Sequence, residues 1–140
     1  MLSKQTRRKR AFYLLFESIV RGIGVPELLD LREQQFELKL VHEEVDAELK
    51  QFLLQVYEHQ EEVTDLIMAK CRDNSRAVGN SDLAILAILV YEMLYEKLDL
   101  PITLTQGAAL SEVFGATDES PSFVHAVVNN IHADLVNEGK

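Results

Sequence analysis

The chain has 140 residues, of which 47% are hydrophobic and 26% charged, an ordinary globular balance and enough length to bury a core in one domain. Its single cysteine, Cys71, excludes an internal disulfide, and no N-terminal apolar run or lipidation signal is found, so a cytoplasmic protein without membrane attachment is expected. The net charge of −9 hides an asymmetry: Lys4, Arg7, Arg8, Lys9 and Arg10 put five cations in the first ten residues, and the rest of the chain holds nine cations against 23 acids.

In chain order, Lys4 to Arg21 reads as the first helix. Phe12, Phe16, Ile19, Val20 and Ile23 form an apolar stripe at helical spacing, and Gly22 is a stop signal. The basic residues occupy its first two turns. A helix dipole disfavours cations at that end, so the cluster does not serve the helix itself and points to an anionic partner; a solvated basic tail is the alternative. Gly24 to Pro26 is a turn, Leu28 to Leu40 a short helix and connector, and Asp46 to His59 a helix with Leu49, Phe52, Leu53, Val56 and Tyr57 on one side. Val63, Leu66 and Ile67 continue the pattern past an unmarked break near Gln60. The polar run Arg72 to Ser81 is turn-rich and is expected to separate an N-terminal half, 1–75, from a C-terminal half, 76–140, within one domain.

Asp82 to Leu98, DLAILAILVYEMLYEKL, is apolar on almost every side. Such a helix must be buried from several directions, and it is too short and too acidic at its edges for a membrane span. It is the expected central helix, with Asn80 or Ser81 as its cap. Pro101 ends it, Thr103 to Phe114 forms the next helix, and Ser120 with Pro121 starts the last, which carries Phe123, Val127, Val128, Ile131 and Leu135. No stretch alternates with period two. The fold class is all-α, with six or seven helices in two three-helix halves around a buried central helix.

Signals for chemistry are weak. His42-Glu43-Glu44 lacks the second histidine of a zinc helix, because Asp46 stands in its place. His125 and His132 share a helix face without further ligands nearby, and Cys71 alone makes no metal site. Gly22-Ile23-Gly24 is no dinucleotide loop, and neither GxSxG nor a phosphate loop occurs. Tyr91 and Tyr95 read as core. The chain is expected to be neither an enzyme nor a cofactor carrier.

Three C-terminal pieces resemble the NusB family of transcription antitermination factors. Asp82-Leu83-Ala84-Ile85-Leu86 with Val90-Tyr91-Glu92-Met93-Leu94 is similar to that family's D-x-A-I-L-x-x-A-x-Y-E-L-L. Asp99-Leu100-Pro101 stands where the family has D-[IV]-P, and Phe114-Gly115 with Asp118, Ser120, Pro121, Phe123 and Val124 resembles F-G-x-x-x-S-P-K-F-V. Thr6-Arg7-Arg8-Lys9-Arg10-Ala11 with Leu15-Phe16 is similar to the family's arginine-rich start. The chain departs from the pattern at Thr105-Gln106-Gly107, where the family has N-E-A, at Leu83 and Ala87, where it has arginines, at His125-Ala126, where it has N-G, and at Phe16, where it has tyrosine.

The resemblance implies a protein of two three-helix halves that binds the boxA element of ribosomal RNA leaders, a single-stranded RNA. It would do so with NusE, a ribosomal small-subunit protein, in an antitermination complex with RNA polymerase. Lys4, Arg7, Arg8, Lys9 and Arg10 would meet phosphates, and Phe16 would offer a stacking face unless its place on the apolar stripe buries it. Asp82, at the exposed start of the central helix, and Asp118 match family positions near the joint RNA and protein surface. The acidic remainder suits a basic ribosomal partner. Homodimers occur in the family. The alternative is a NusB-like protein-interaction module that has lost RNA recognition, motivated by the departures above. NusB-like domains also precede ribosomal RNA methyltransferases, but no cofactor loop is found here.

Overall fold

A computed structural model describes residues 2–73 and 77–138; residues 74–76 of the expected boundary lie outside the described residues. Seven helices are present among them: α1 (Lys4–Arg21), α2 (Val25–Glu37), α3 (Ala47–Glu58), α4 (Gln60–Asp73), α5 (Asn80–Tyr95), α6 (Leu100–Phe114) and α7 (Ser120–Asn137). No strand occurs among the described residues, and no helix there is long and apolar enough to cross a membrane. The all-α reading holds.

The helices form two compact units, 1–58 and 59–140. The division falls between Glu58 and His59, not in the polar run after Arg72, so the grouping is three helices and four rather than three and three. The reason is α4. Val63, Ile67 and Cys71, spaced one turn apart, are all buried, and α4 packs on α5 and α7.

In the first unit α1, α2 and α3 pack pairwise around Ala11, Phe12, Leu15, Val25, Leu28, Leu29, Leu49, Phe52, Leu53 and Val56. The buried face of α1 is turned round the helix axis from the expected stripe: Arg8, Ala11, Phe12, Leu15 and Ser18 are buried, while Val20 is 54% exposed. Gly22 ends α1 at φ 68°, and its N–H bonds to the Ile19 carbonyl at 3.2 Å, the left-handed stop that glycine adopts without steric penalty. Gly24 caps α2, which starts at Val25, before the expected Leu28, with Pro26 in its first turn. It stops at Glu37 because Lys39 takes φ 61°, and the Leu40 N–H then reaches back to the Gln35 carbonyl at 2.8 Å. Asp46 starts α3 by accepting from the Glu48 N–H at 2.8 Å.

In the second unit α5 packs on α4, α6 and α7. Ile85, Leu86, Ile88, Leu89 and Val90 are wholly buried and Met93 nearly so, which is the central helix that its unbroken apolar sequence requires. Its N-cap is Gly79, with no side-chain bond, rather than Asn80 or Ser81. It ends at Tyr95, short of Leu98, because Lys97 adopts φ 58° and the Leu98 N–H turns back to the Glu92 carbonyl at 3.1 Å. Asp99 then caps α6, its carboxylate accepting from the Ile102 N–H at 3.1 Å, and Pro101 sits in the first turn. Pro101 therefore begins α6 instead of ending α5. Gly107 lets α6 press close to its neighbours; a β-carbon there would stand 3.1 Å from Leu89 and 3.2 Å from Val124. At the start of the unit, His59 stacks on Tyr95 with ring centroids 3.9 Å apart, and the Tyr95 hydroxyl donates to the Glu62 carboxylate.

Candidate nucleic-acid interface

Helix α1 begins at Ser3, whose hydroxyl oxygen accepts from the Thr6 N–H at 3.1 Å. The Leu2 N–H donates to the Glu48 carboxylate at 3.1 Å and ties this end to α3. No acid lies in the first turn, so the cations face no compensating carboxylate within that turn.

The five basic residues do not share one environment. Lys4, Lys9 and Arg10 are exposed. Arg7 is half-buried, its guanidinium carbon 3.9 Å from the centre of the Phe52 ring, a geometry in which the ring's negative face attracts the cation. Arg8 is 3% exposed, which corrects its assignment as a surface phosphate contact. The cause is helical phase: Arg8 lies three and four residues before Ala11 and Phe12 and so shares their buried face. Phe16 is half-buried and stacks on Phe12, with centroids 5.6 Å apart and planes within 12°. Much of its ring is used inside the first unit. Arg10 borders an open recess lined by Glu43, Glu44 and Asp46, so its far side faces carboxylates.

Asp82 is the clearest correction. It is 2% exposed, not an exposed contact. One carboxylate oxygen accepts from the Ala116 N–H and the other from the Ser120 hydroxyl, both at 3.1 Å. Ser120 is itself wholly buried, and its oxygen accepts from the Thr117 N–H at 3.1 Å. Ser120 is therefore used as a bridge, and Glu119 stands at the N-cap of α7. Asp82 thus holds the turn between α6 and α7 from inside. Gly115 makes the closeness possible: a β-carbon there would fall 2.4 Å from both the Ser111 carbonyl oxygen and the Ser120 β-carbon. On the outside of the same turn Asp118 is exposed, as a partner contact requires.

Sequence reasoning passed over Tyr13, the α1 aromatic that is most open, at 61% exposed. It stands edge-on to Phe12, with centroids 5.8 Å apart and planes at 70°. Its signal was phase: Tyr13 is one turn after Lys9 and Arg10, on the polar side of the helix. Arg21 and Arg32 were also missed. Both pair with Glu17, Arg21 at 2.9 Å. Among the described residues no three His, Cys, Asp or Glu side chains gather to hold a metal ion.

The NusB family model matches residues 5–133. The chain belongs to the NusB family. The transcription antitermination protein NusB of Bacillus velezensis is 30% identical over 137 residues, covering 96% of this chain and 98% of that protein. Its counterpart from Bacillus pumilus is 29% identical with the same coverage. That of Geobacillus kaustophilus is 34% identical over 94 residues, covering 66% of this chain and 72% of that protein. The NusB match takes in the basic end of α1, the α5 core and the Asp82 turn together.

Proposed function

We propose that this NusB-family chain is a non-enzymatic transcription antitermination factor. In this reading it binds single-stranded boxA-type ribosomal leader RNA together with NusE, in the cytoplasm, inside an RNA polymerase complex. The observation that carries the reading is the exposed trio Lys4, Lys9 and Arg10 at the one basic end of an acidic chain, within a match that spans the family model. Exposed cations neutralise phosphates and release counterions. The acidic remainder favours a basic protein such as NusE as co-ligand, with Asp118 as a contact.

Titrating labelled boxA RNA with and without NusE, at two salt concentrations, tests this. Binding weakens as salt rises and tightens with NusE. Arg10→Gln lowers the slope of log affinity against log salt by about one. Equal affinity for boxA and a scrambled RNA, in both the presence and absence of NusE, refutes the reading.

A second reading has an observation of its own. With Arg8 buried and Arg7 set over Phe52, fewer cations reach the surface than the basic run promises, which suits a protein-interaction module without RNA recognition. Capture of NusE with no RNA binding at low salt selects it.

A further inference from the structure

We infer that the outer face of α1 is a track for single-stranded nucleic acid, with Tyr13 as its base-stacking ring and the Arg21–Arg32 pair as its second phosphate contact. The inference rests on the RNA-binding reading above and goes further by naming the ring and the path.

Stacking needs an aromatic face that water can reach. Phe12 is buried and Phe16 is half-buried against it, whereas Tyr13 is 61% exposed. Its edge-on contact with Phe12 fixes the ring without covering both faces. One turn before it stand Lys9 and Arg10, both exposed. A base on an aromatic face with its phosphate on a nearby cation is the usual arrangement of single-strand sites, because every base has a π-face and every linkage a charge.

The track continues past Tyr13. Glu17, one turn on, would repel a phosphate if it stood alone. It is held by Arg21 at 2.9 Å and by Arg32 reaching across from α2. Two guanidinium groups on one carboxylate leave a net positive charge, and Arg21 stays exposed. From Lys9 to Arg21 the helix rises about 18 Å, with Tyr13 between two positive poles. Glu43, Glu44 and Asp46 share an open recess with Arg10, and their carboxylates disfavour a phosphate backbone within that recess.

The chain has no tryptophan, so Tyr13→Trp installs a single reporter. Its emission is quenched by single-stranded boxA RNA and not by the same RNA held in a duplex. Tyr13→Ala weakens single-strand binding about tenfold, and Tyr13→Phe keeps affinity within about twofold, because the ring and not the hydroxyl stacks. Arg21→Gln lowers the salt slope by about one. Unchanged circular dichroism keeps these effects local. If Tyr13→Ala binds as tightly as the native chain while Arg10→Gln does not, the stacking assignment is wrong and RNA binding stands. A native chain with no salt-dependent RNA binding overturns both. A Tyr13→Ala variant that loses only NusE makes Tyr13 a protein contact and overturns the track.

Discussion

Replacing Asp82 with alanine separates a buried clamp from a surface contact. Asp82 accepts from the Ala116 N–H and the Ser120 hydroxyl. A hydrogen bond to a charged acceptor contributes roughly 1.5–3 kcal/mol. Ala116 is exposed, so water can take over its N–H, but Ser120 is wholly buried and its hydroxyl would lose that acceptor. The loss for Asp82→Ala is therefore about 2–3 kcal/mol, below the sum of the two bonds. For a domain of this length that lowers the thermal midpoint by about 10 °C. Asp82→Asn keeps an acceptor for Ala116 but none for the Ser120 proton, and costs about 1 kcal/mol. Thermal and urea unfolding followed by circular dichroism measure both. RNA affinity, taken well below the midpoint, stays within about twofold of the native chain, because the carboxylate does not reach the surface. A variant whose stability stays within about 0.5 kcal/mol of native but whose partner affinity collapses would falsify the clamp and restore Asp82 as a contact.

Three other outcomes are expected. Arg8→Ala lowers stability by about 2–3 kcal/mol, since a buried stem and guanidinium are lost, whereas Arg10→Gln leaves the midpoint unchanged in the same melt; equal midpoints for the two variants contradict the burial of Arg8. Gly115→Ala costs about 2–3 kcal/mol by overpacking against Ser111 and Ser120, and a native-like urea midpoint refutes the contact geometry. Burial pushes the Tyr95 hydroxyl up from 10.0 to about 12, helped by its hydrogen bond to Glu62 and that residue's charge. The raised value means that the protonated hydroxyl stabilises the folded chain fully below about pH 10 and that this contribution fades as pH rises towards about 12. Absorbance titration of the native chain against Tyr95→Phe isolates this late transition, and Glu62→Gln moves it to lower pH.

The amino-acid sequence by itself determined the helices and the core of the second unit. Ile85 to Val90 must be buried wherever they lie, because no rotation of an all-apolar helix offers a polar face. Motif order over the chain was likewise enough to read the family. Helix ends were less legible. Lys39 and Lys97 take left-handed conformations that a lysine does not announce, so two helices stopped earlier than their patterns suggested.

Tertiary structure alone decided which candidate residues are buried and which are exposed. Helical phase places Arg8 inside and Tyr13 outside, and the apolar stripe of α1 does not by itself show that the buried face extends onto an arginine. Asp82 looks like an exposed acid at a helix start in one dimension. It becomes a buried clamp only because Gly115 lets the α6–α7 turn come within hydrogen-bonding distance. Burial of a polar side chain depends on partners distant in sequence, here Ala116 and Ser120, and local spacing carries no information about them.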